Sequence, residues 1–149
     1  MPQFAKNPKS RHDYEIIDTI ETGLVLYGHE VKAVKNGKIS IKGSYAKIIN
    51  NELWLIGATI SPYQPNNTPE NYDSQRSRKI LIKKKELDFL IGKSKEAGLT
   101  LVPLSVYSKR GLVKLELGVG RGKKKYDKRE SIKKREVQRQ IKRATKGVS

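Results

Sequence analysis

The sequence predicts a mainly β fold with added helices: a small antiparallel barrel of six to seven short strands, closed or nearly so, followed by a basic C-terminal tail. Three observations carry this. Short apolar runs recur between turn residues, the pattern of half-buried antiparallel strands. The chain has 149 residues; with about 30 of them in the tail there is room for one domain and one core, and short strands in so small a chain manage their edges best by closing. Finally, the chain changes character between Gly118 and Arg129. From Arg121 to Ser149 there are 13 Lys or Arg against 3 acids, which is +10 of the net +17. This seam predicts a barrel domain over 1–120 and a tail over 121–149.

Taken in order, Pro2 to Arg11 is polar and proline-punctuated and reads as an extended basic arm. Tyr14 to Ile20 reads as a strand on the parity of Tyr14, Ile16 and Ile20, with Ile17 breaking the alternation. Thr22-Gly23 reads as a turn, with Leu24 to Tyr27 pairing back. Val31 and Val34 fit a short helix ended by Asn36-Gly37. Strands follow at Ser44 to Ile49 and Leu53 to Ile60, joined by Asn50-Asn51, a pair suited to a tight turn. Tyr63 to Ser77 is a long loop with little to bury, a length that usually signals function or disorder. Ile80-Leu81-Ile82 reads as a buried run, and Lys84 to Ala97 as a helix with Leu87, Leu90 and Ile91 on one face and Gly98 as its stop. Thr100 to Tyr107 and Leu112 to Val119 form the clearest hairpin, around Ser108-Lys109-Arg110-Gly111; Pro103 implies an edge or a bulge.

The charge points to a polyanionic partner. Without Cys, disulfides, thiolate zinc sites and Cys nucleophiles are excluded. No apolar leader or run of membrane-spanning length is seen, so a cytoplasmic chain is expected. Gly92-Lys93-Ser94 lacks the earlier glycine of a phosphate loop, where Leu87 stands, and Gly118-Val119-Gly120 reads as a structural turn rather than a dinucleotide fingerprint. His12 and His29 have no metal spacing. No metal or cofactor is expected. Aromatic residues interleaved with cations, in Arg11-His12-Asp13-Tyr14 and Lys124-Lys125-Tyr126-Asp127-Lys128, suit base stacking with phosphate contact. Tyr14 is as readily a core residue. Arg76, Arg78 and Lys79 precede an apolar strand and could be fixed on a rigid rim or form a solvated charge run. Val137, Ile141, Ala144 and Val148 form one narrow apolar stripe among like charges, so the tail is expected to be disordered when free and helical when bound. That stripe has no Trp, Phe or Leu, which favours RNA over a membrane.

Short motifs in a fixed order resemble the small protein B family, the SsrA-binding proteins that partner transfer-messenger RNA in bacterial ribosome rescue. They are Arg11-His12-Asp13-Tyr14, Glu21-Thr22-Gly23, Gly28-His29-Glu30-Val31-Lys32, Gly43-Ser44-Tyr45, Ile60-Ser61-Pro62-Tyr63, Arg78-Lys79-Ile80-Leu81, Gly98 to Leu104, and Gly122-Lys123-Lys124 with Asp127-Lys128-Arg129. The resemblance implies an oligonucleotide-binding-type (OB-fold) barrel, acting as a monomer, with two surfaces. One holds the transfer-RNA-like domain of the RNA, with Asn7, Arg11, His12, Tyr14, Glu21, Lys32, Arg76, Arg78, Lys79, Leu81 and Lys83 on or under it. Glu21 would accept hydrogen bonds from base or ribose, or orient a cation. The other is the tail, entering the decoding region of a ribosome whose messenger channel is empty; Gly122, Lys123, Lys124, Tyr126, Asp127, Lys128, Arg129, Lys133, Lys134 and Arg135 belong to it. The alternatives are a ribosomal protein with a basic tail and an RNA-processing enzyme, for which no paired carboxylates, metal cluster or cofactor loop is found.

Overall fold

The computed structural model describes residues 3–64, 69–96 and 98–122. In chain order the elements are β1 (Gln3–Lys6), α1 (Ser10–Asp13), β2 (Tyr14–Leu24), α2 (Gly28–Lys35), β3 (Ile39–Ser40), β4 (Tyr45–Ile49), β5 (Glu52–Ile56), β6 (Thr59–Ile60), β7 (Arg78–Leu81), α3 (Lys84–Ser94), β8 (Leu99–Lys109) and β9 (Leu112–Gly122). One sheet runs β1-β8-β4-β5-β7-β2-β9, all antiparallel, and the additional β8–β9 pairing closes it into a barrel. Closure at β4–β8 is thin, through Ala46 opposite Leu101. β3 and β6 pair separately.

Alternation builds the interior. Leu53 and Leu55 on β5, Ile80 on β7, and Val113, Leu115, Leu117 and Val119 on β9 all point inward. Ala33 and Val34 of α2 and Leu90 of α3 join the same core. Asn50 and Asn51 carry φ of 52° and 61°, the left-handed pair a two-residue hairpin requires, and Gly37 at φ 77° follows α2.

Several sequence expectations change. The N-terminal arm is an element: β1 pairs with β8, and Phe4 and Ala5 pack on the core. Thr22-Gly23 is no turn, because β2 continues to Leu24, pairing with both β7 and β9 and burying Thr22, whose hydroxyl donates to the Leu115 carbonyl at 2.9 Å. Ile17 sits at a register shift, a bulge that explains the broken alternation. The strand expected over Leu53 to Ile60 splits around Gly57, at φ 86°, into β5 and β6. Ile80-Leu81-Ile82 alternates rather than being buried throughout, since Leu81 points out. The β8–β9 turn is only Arg110-Gly111. Pro103 does mark a bulge.

The glycines at the seam are strand residues, not turn residues. A Cβ on Gly118 would stand 3.0 Å from Leu104 Cδ1, and one on Gly120 would stand 3.1 Å from Tyr14 Cβ. Val102 and Leu104 are buried yet lie outside the main core. They form, with Tyr14 and Ile16, a second small apolar layer on the outer face of β9, which exists because the glycines leave room for it. Gly120→Val is expected to cost about 1–3 kcal/mol through overpacking, read as a lowered urea midpoint at unchanged slope. Gly92→Ala, with nothing within 4 Å, serves as the contrasting helix substitution and should not destabilise.

Candidate nucleic-acid interface

Inward parity on one side of the barrel wall fixes what faces water on the other. From Glu21 onward the even residues Thr22 and Leu24 are buried, so Glu21, Gly23, Val25 and Tyr27 form an outward row. Gly23 lies between Leu81 on β7 and Lys114 on β9. With no side chain between them, Leu81 stands 54% exposed. The next row crosses three strands as Lys47, Trp54 and Lys79. Cations alternate with an indole there, and Lys79 Nζ is held 2.9 Å from Glu52. Such a surface can stack bases and meet phosphates.

Glu21 is the acid of this face. It is opposite Glu116, a like-charge pair that would repel. Tyr107 donates its hydroxyl to Glu21, and Lys109 Nζ lies 3.3 Å away. The Tyr107 hydrogen bond, assisted by Lys109 and Lys114, lowers the Glu21 pKa. Burial, and then the neighbouring Glu21 carboxylate, raise that of Tyr107. Glu21 therefore stays ionised and orients a cation and a phenol at the rim.

Beneath the face lies a buried ion cluster. Glu30 on α2 accepts at Oε1 from the Tyr27 backbone N–H at 2.9 Å and from Arg76 Nη2, and at Oε2 from Arg76 Nε at 3.1 Å and Arg78 Nη2 at 2.7 Å. Tyr72 donates its hydroxyl toward both Glu30, at 3.0 Å, and the Ile60 carbonyl, at 2.8 Å. Burial alone would raise the Glu30 pKa, but the Arg76, Tyr27 and Arg78 contacts hold it at about 2. Burial, with the Glu30 carboxylate second, pushes Tyr72 up to about 12. Desolvation disfavours the Arg76 charge, and Glu30 more than restores it, so its pKa is raised.

The structure thus sorts the sequence-selected residues. Glu21, Lys79 and Leu81 share the outer face, and Lys83 is exposed at the start of α3. Lys32 is exposed on α2. Arg78 lies under the surface: fully buried, its guanidinium is committed to Glu30, the Ala58 and Ser74 carbonyls and Tyr72. Arg76 turns its Nε and Nη2 donors inward likewise. Asn7 donates to the Pro103 carbonyl at 3.2 Å, clamping the end of β1 to the β8 bulge. Arg11, His12 and Tyr14 gather at the opposite end of β2, seven residues or about 23 Å from Glu21. There Tyr14 pairs with Gly122, where β9 ends. His12 Nδ1 is 3.1 Å from Asp13 Oδ1. Lys123, Lys124, Tyr126, Asp127, Lys128, Arg129, Lys133, Lys134 and Arg135 lie outside the described residues. Sequence reasoning missed Lys47, Trp54, Tyr107, Lys109 and Lys114. The first two were within reach, because a two-residue turn at Asn50-Asn51 dictates that Lys47 opposes Trp54.

By fold and surface this is a nucleic-acid-binding barrel of the oligonucleotide-binding type. Comparison with known proteins narrows it: the family model described as SmpB protein matches residues 4–147, and the chain belongs to that family. SsrA-binding protein of Enterococcus faecalis is 51% identical over 143 residues, covering 96% of this chain and 92% of the relative. That of Geobacillus thermodenitrificans is 51% identical over 141 residues, covering 95% and 90%. A solved structure described as "tmRNA-SmpB: a journey to the center of the bacterial ribosome" superimposes with a TM-score of 0.67 at 44% identity, covering 85% of this chain and 92% of that one. No helix among the described residues is long and apolar enough to cross a membrane.

The ion cluster makes a pH prediction. With Glu30 at about 2 in the fold against an ordinary value of about 4.5, its contribution is complete above about pH 4.5 and lost as pH falls toward 2, in total about 3 kcal/mol. Glu30→Gln should flatten the acid limb of stability against pH, and should cost about 3–5 kcal/mol at neutral pH by leaving the buried Arg78 charge and the part-buried Arg76 charge without a counter-ion. Urea unfolding from pH 2 to 7 checks both.

Proposed function

We propose that this protein binds the transfer-RNA-like domain of transfer-messenger RNA (SsrA RNA) and delivers it to stalled ribosomes for trans-translation, in which the ribosome is rescued and the incomplete peptide tagged. The observation that carries this is the extent of the family match: residues 4–147 take in barrel and basic extension as one unit, and the relatives that share it are SsrA-binding proteins. The chain works by binding, as partner and adaptor in the cytoplasm, and not as an enzyme.

The labour divides at the end of β9. The barrel, with Glu21, Lys79, Leu81 and the Lys47-Trp54-Lys79 row, reads the folded RNA. The tail, +9 from Lys123 onward, fills the empty messenger channel and reaches the decoding centre through Lys123, Lys124, Tyr126, Asp127, Lys128, Arg129, Lys133, Lys134 and Arg135. An occupied channel excludes it sterically. The boundary belongs at Gly122 rather than 120, since Arg121 and Gly122 still pair with Glu15 and Tyr14.

Two outcomes follow from this division. A chain ending at Gly122 should bind the transfer-RNA-like domain as the full chain does and fail to support peptide tagging on stalled ribosomes; tagging without the tail overturns the division. Leu81→Asp in the full chain should weaken binding to that domain by about tenfold or more in equilibrium titration, since it sets a charge against phosphates at the centre of the face.

A further inference from the structure

Tyr27, His29, Tyr72 and Arg76 surround an open pocket of about 550 Å³, with Asn71 and Asp73 on its rim. That volume lies within the roughly 300–1,000 Å³ usual for small-ligand sites. Its walls are rings. His29 stands edge-on to Tyr72 with centroids 4.9 Å apart, and tilted against Tyr27 at 5.8 Å. The Arg76 guanidinium lies 4.0 Å from the centroid of the Tyr27 ring.

These rings are more than core packing. Tyr27 is 55% exposed, and neither it nor Tyr72 belongs to the core or to the apolar side chains packed on it. Two of the walls are also held in place. The Tyr72 hydroxyl is tied to Ile60 and Glu30, and Arg76 is locked by Glu30. Walls already held in place reduce the ordering entropy lost when a ligand enters the pocket.

The chemistry of the walls selects the ligand. Arg76 spends its Nε and Nη2 donors on Glu30, so it presents a charged plane rather than a fork, and a plane stacks on a π system but does not grip a phosphate. Asp73 would repel a phosphate; its Oδ1 already accepts from the Gln75 backbone at 2.9 Å, which leaves Oδ2, like the Asn71 amide oxygen, able to accept from a base N–H group. We infer that this pocket receives one unpaired RNA nucleobase, stacked among Tyr27, His29 and Arg76 with its polar edge toward Asn71 and Asp73. The inference rests on the functional reading above, and it extends that face: Tyr27 ends the outward row begun by Glu21. The base could come from transfer-messenger RNA or from ribosomal RNA, which share this chemistry.

The test uses the full chain. Guanosine and uridine monophosphates should shift the NMR signals of His29, Asn71 and Arg76, and ribose 5-phosphate should not. Equal response to ribose phosphate, or no response to any, overturns the inference. Tyr27→Leu and Asn71→Ala, each confirmed to keep the parent's thermal midpoint, should weaken binding by about tenfold to transfer-messenger RNA alone or to ribosomes, and the arm that responds identifies the source. Parent-like binding of both variants in both arms overturns the inference even if mononucleotides enter the pocket. If Tyr27→Leu does not fold, Asn71→Ala carries the test alone. Failure of the parent chain to bind transfer-messenger RNA would sink the functional reading instead, and the mononucleotide titration would still judge the pocket.

Discussion

One buried carboxylate organises the part of this protein that sequence patterns describe least. Glu30 is fully buried, and it ties together the start of α2, the long connection that follows β6 and the first residue of β7. Buried ion pairs add little net stability over well-packed apolar groups, because desolvation offsets much of the attraction. Their effect is specificity. A long segment with few apolar anchors could cross the barrel in many ways, and only one of these brings Tyr72, Arg76 and Arg78 to the same acid. Since Arg78 opens β7, the cluster also sets where Lys79 and Leu81 emerge.

A second constraint governs the other end of the barrel. β9 carries glycine at three alternate positions, 118, 120 and 122, and the first two are close-packed beneath Leu104, Ile16, Val102 and Tyr14. The strand can therefore bury both faces there. One face serves the main core, and the other holds the small outer layer that seats Tyr14 against the point where the basic tail begins. Gly118, Gly120 and Gly122 are thus strand positions, the first two held by close packing, rather than a flexible glycine hinge.

The mutual placement of these residues explains why side chains that read alike in the sequence do different jobs. Arg76 and Arg78 read in the sequence as two more cations beside Lys79, and the difference between them is burial. Alternation in β7 turns Arg78 inward and Lys79 outward, but a run of Arg-Ser-Arg-Lys before three apolar residues does not reveal which parity wins. Glu30 was equally hard to single out, because an acid in the first turn of a helix is ordinarily a solvent-exposed partner of the helix dipole. Trp54 and Lys47 needed only the hairpin register, whereas Tyr107 and Lys109 reach Glu21, and the Lys114 charge acts on it, across strands far apart in the chain.

The sequence by itself determined what local chemistry decides: the mainly β class, the Asn50-Asn51 turn, α2 with its glycine stop, the body of α3, the bulge at Pro103 and the change of charge at the seam. Each rests on side-chain parity, a backbone angle or a net charge that neighbouring residues alone impose. Only the tertiary structure decided whether Thr22-Gly23 turns or runs straight, whether the N-terminal segment joins the sheet and which cations face the solvent. Those outcomes depend on partners supplied from elsewhere: Leu115 for Thr22, β8 for Phe4 and Ala5, and Glu30 for Arg76 and Arg78. A segment cannot encode the burial of its own charge, because the group that compensates that charge lies some 46 to 48 residues away.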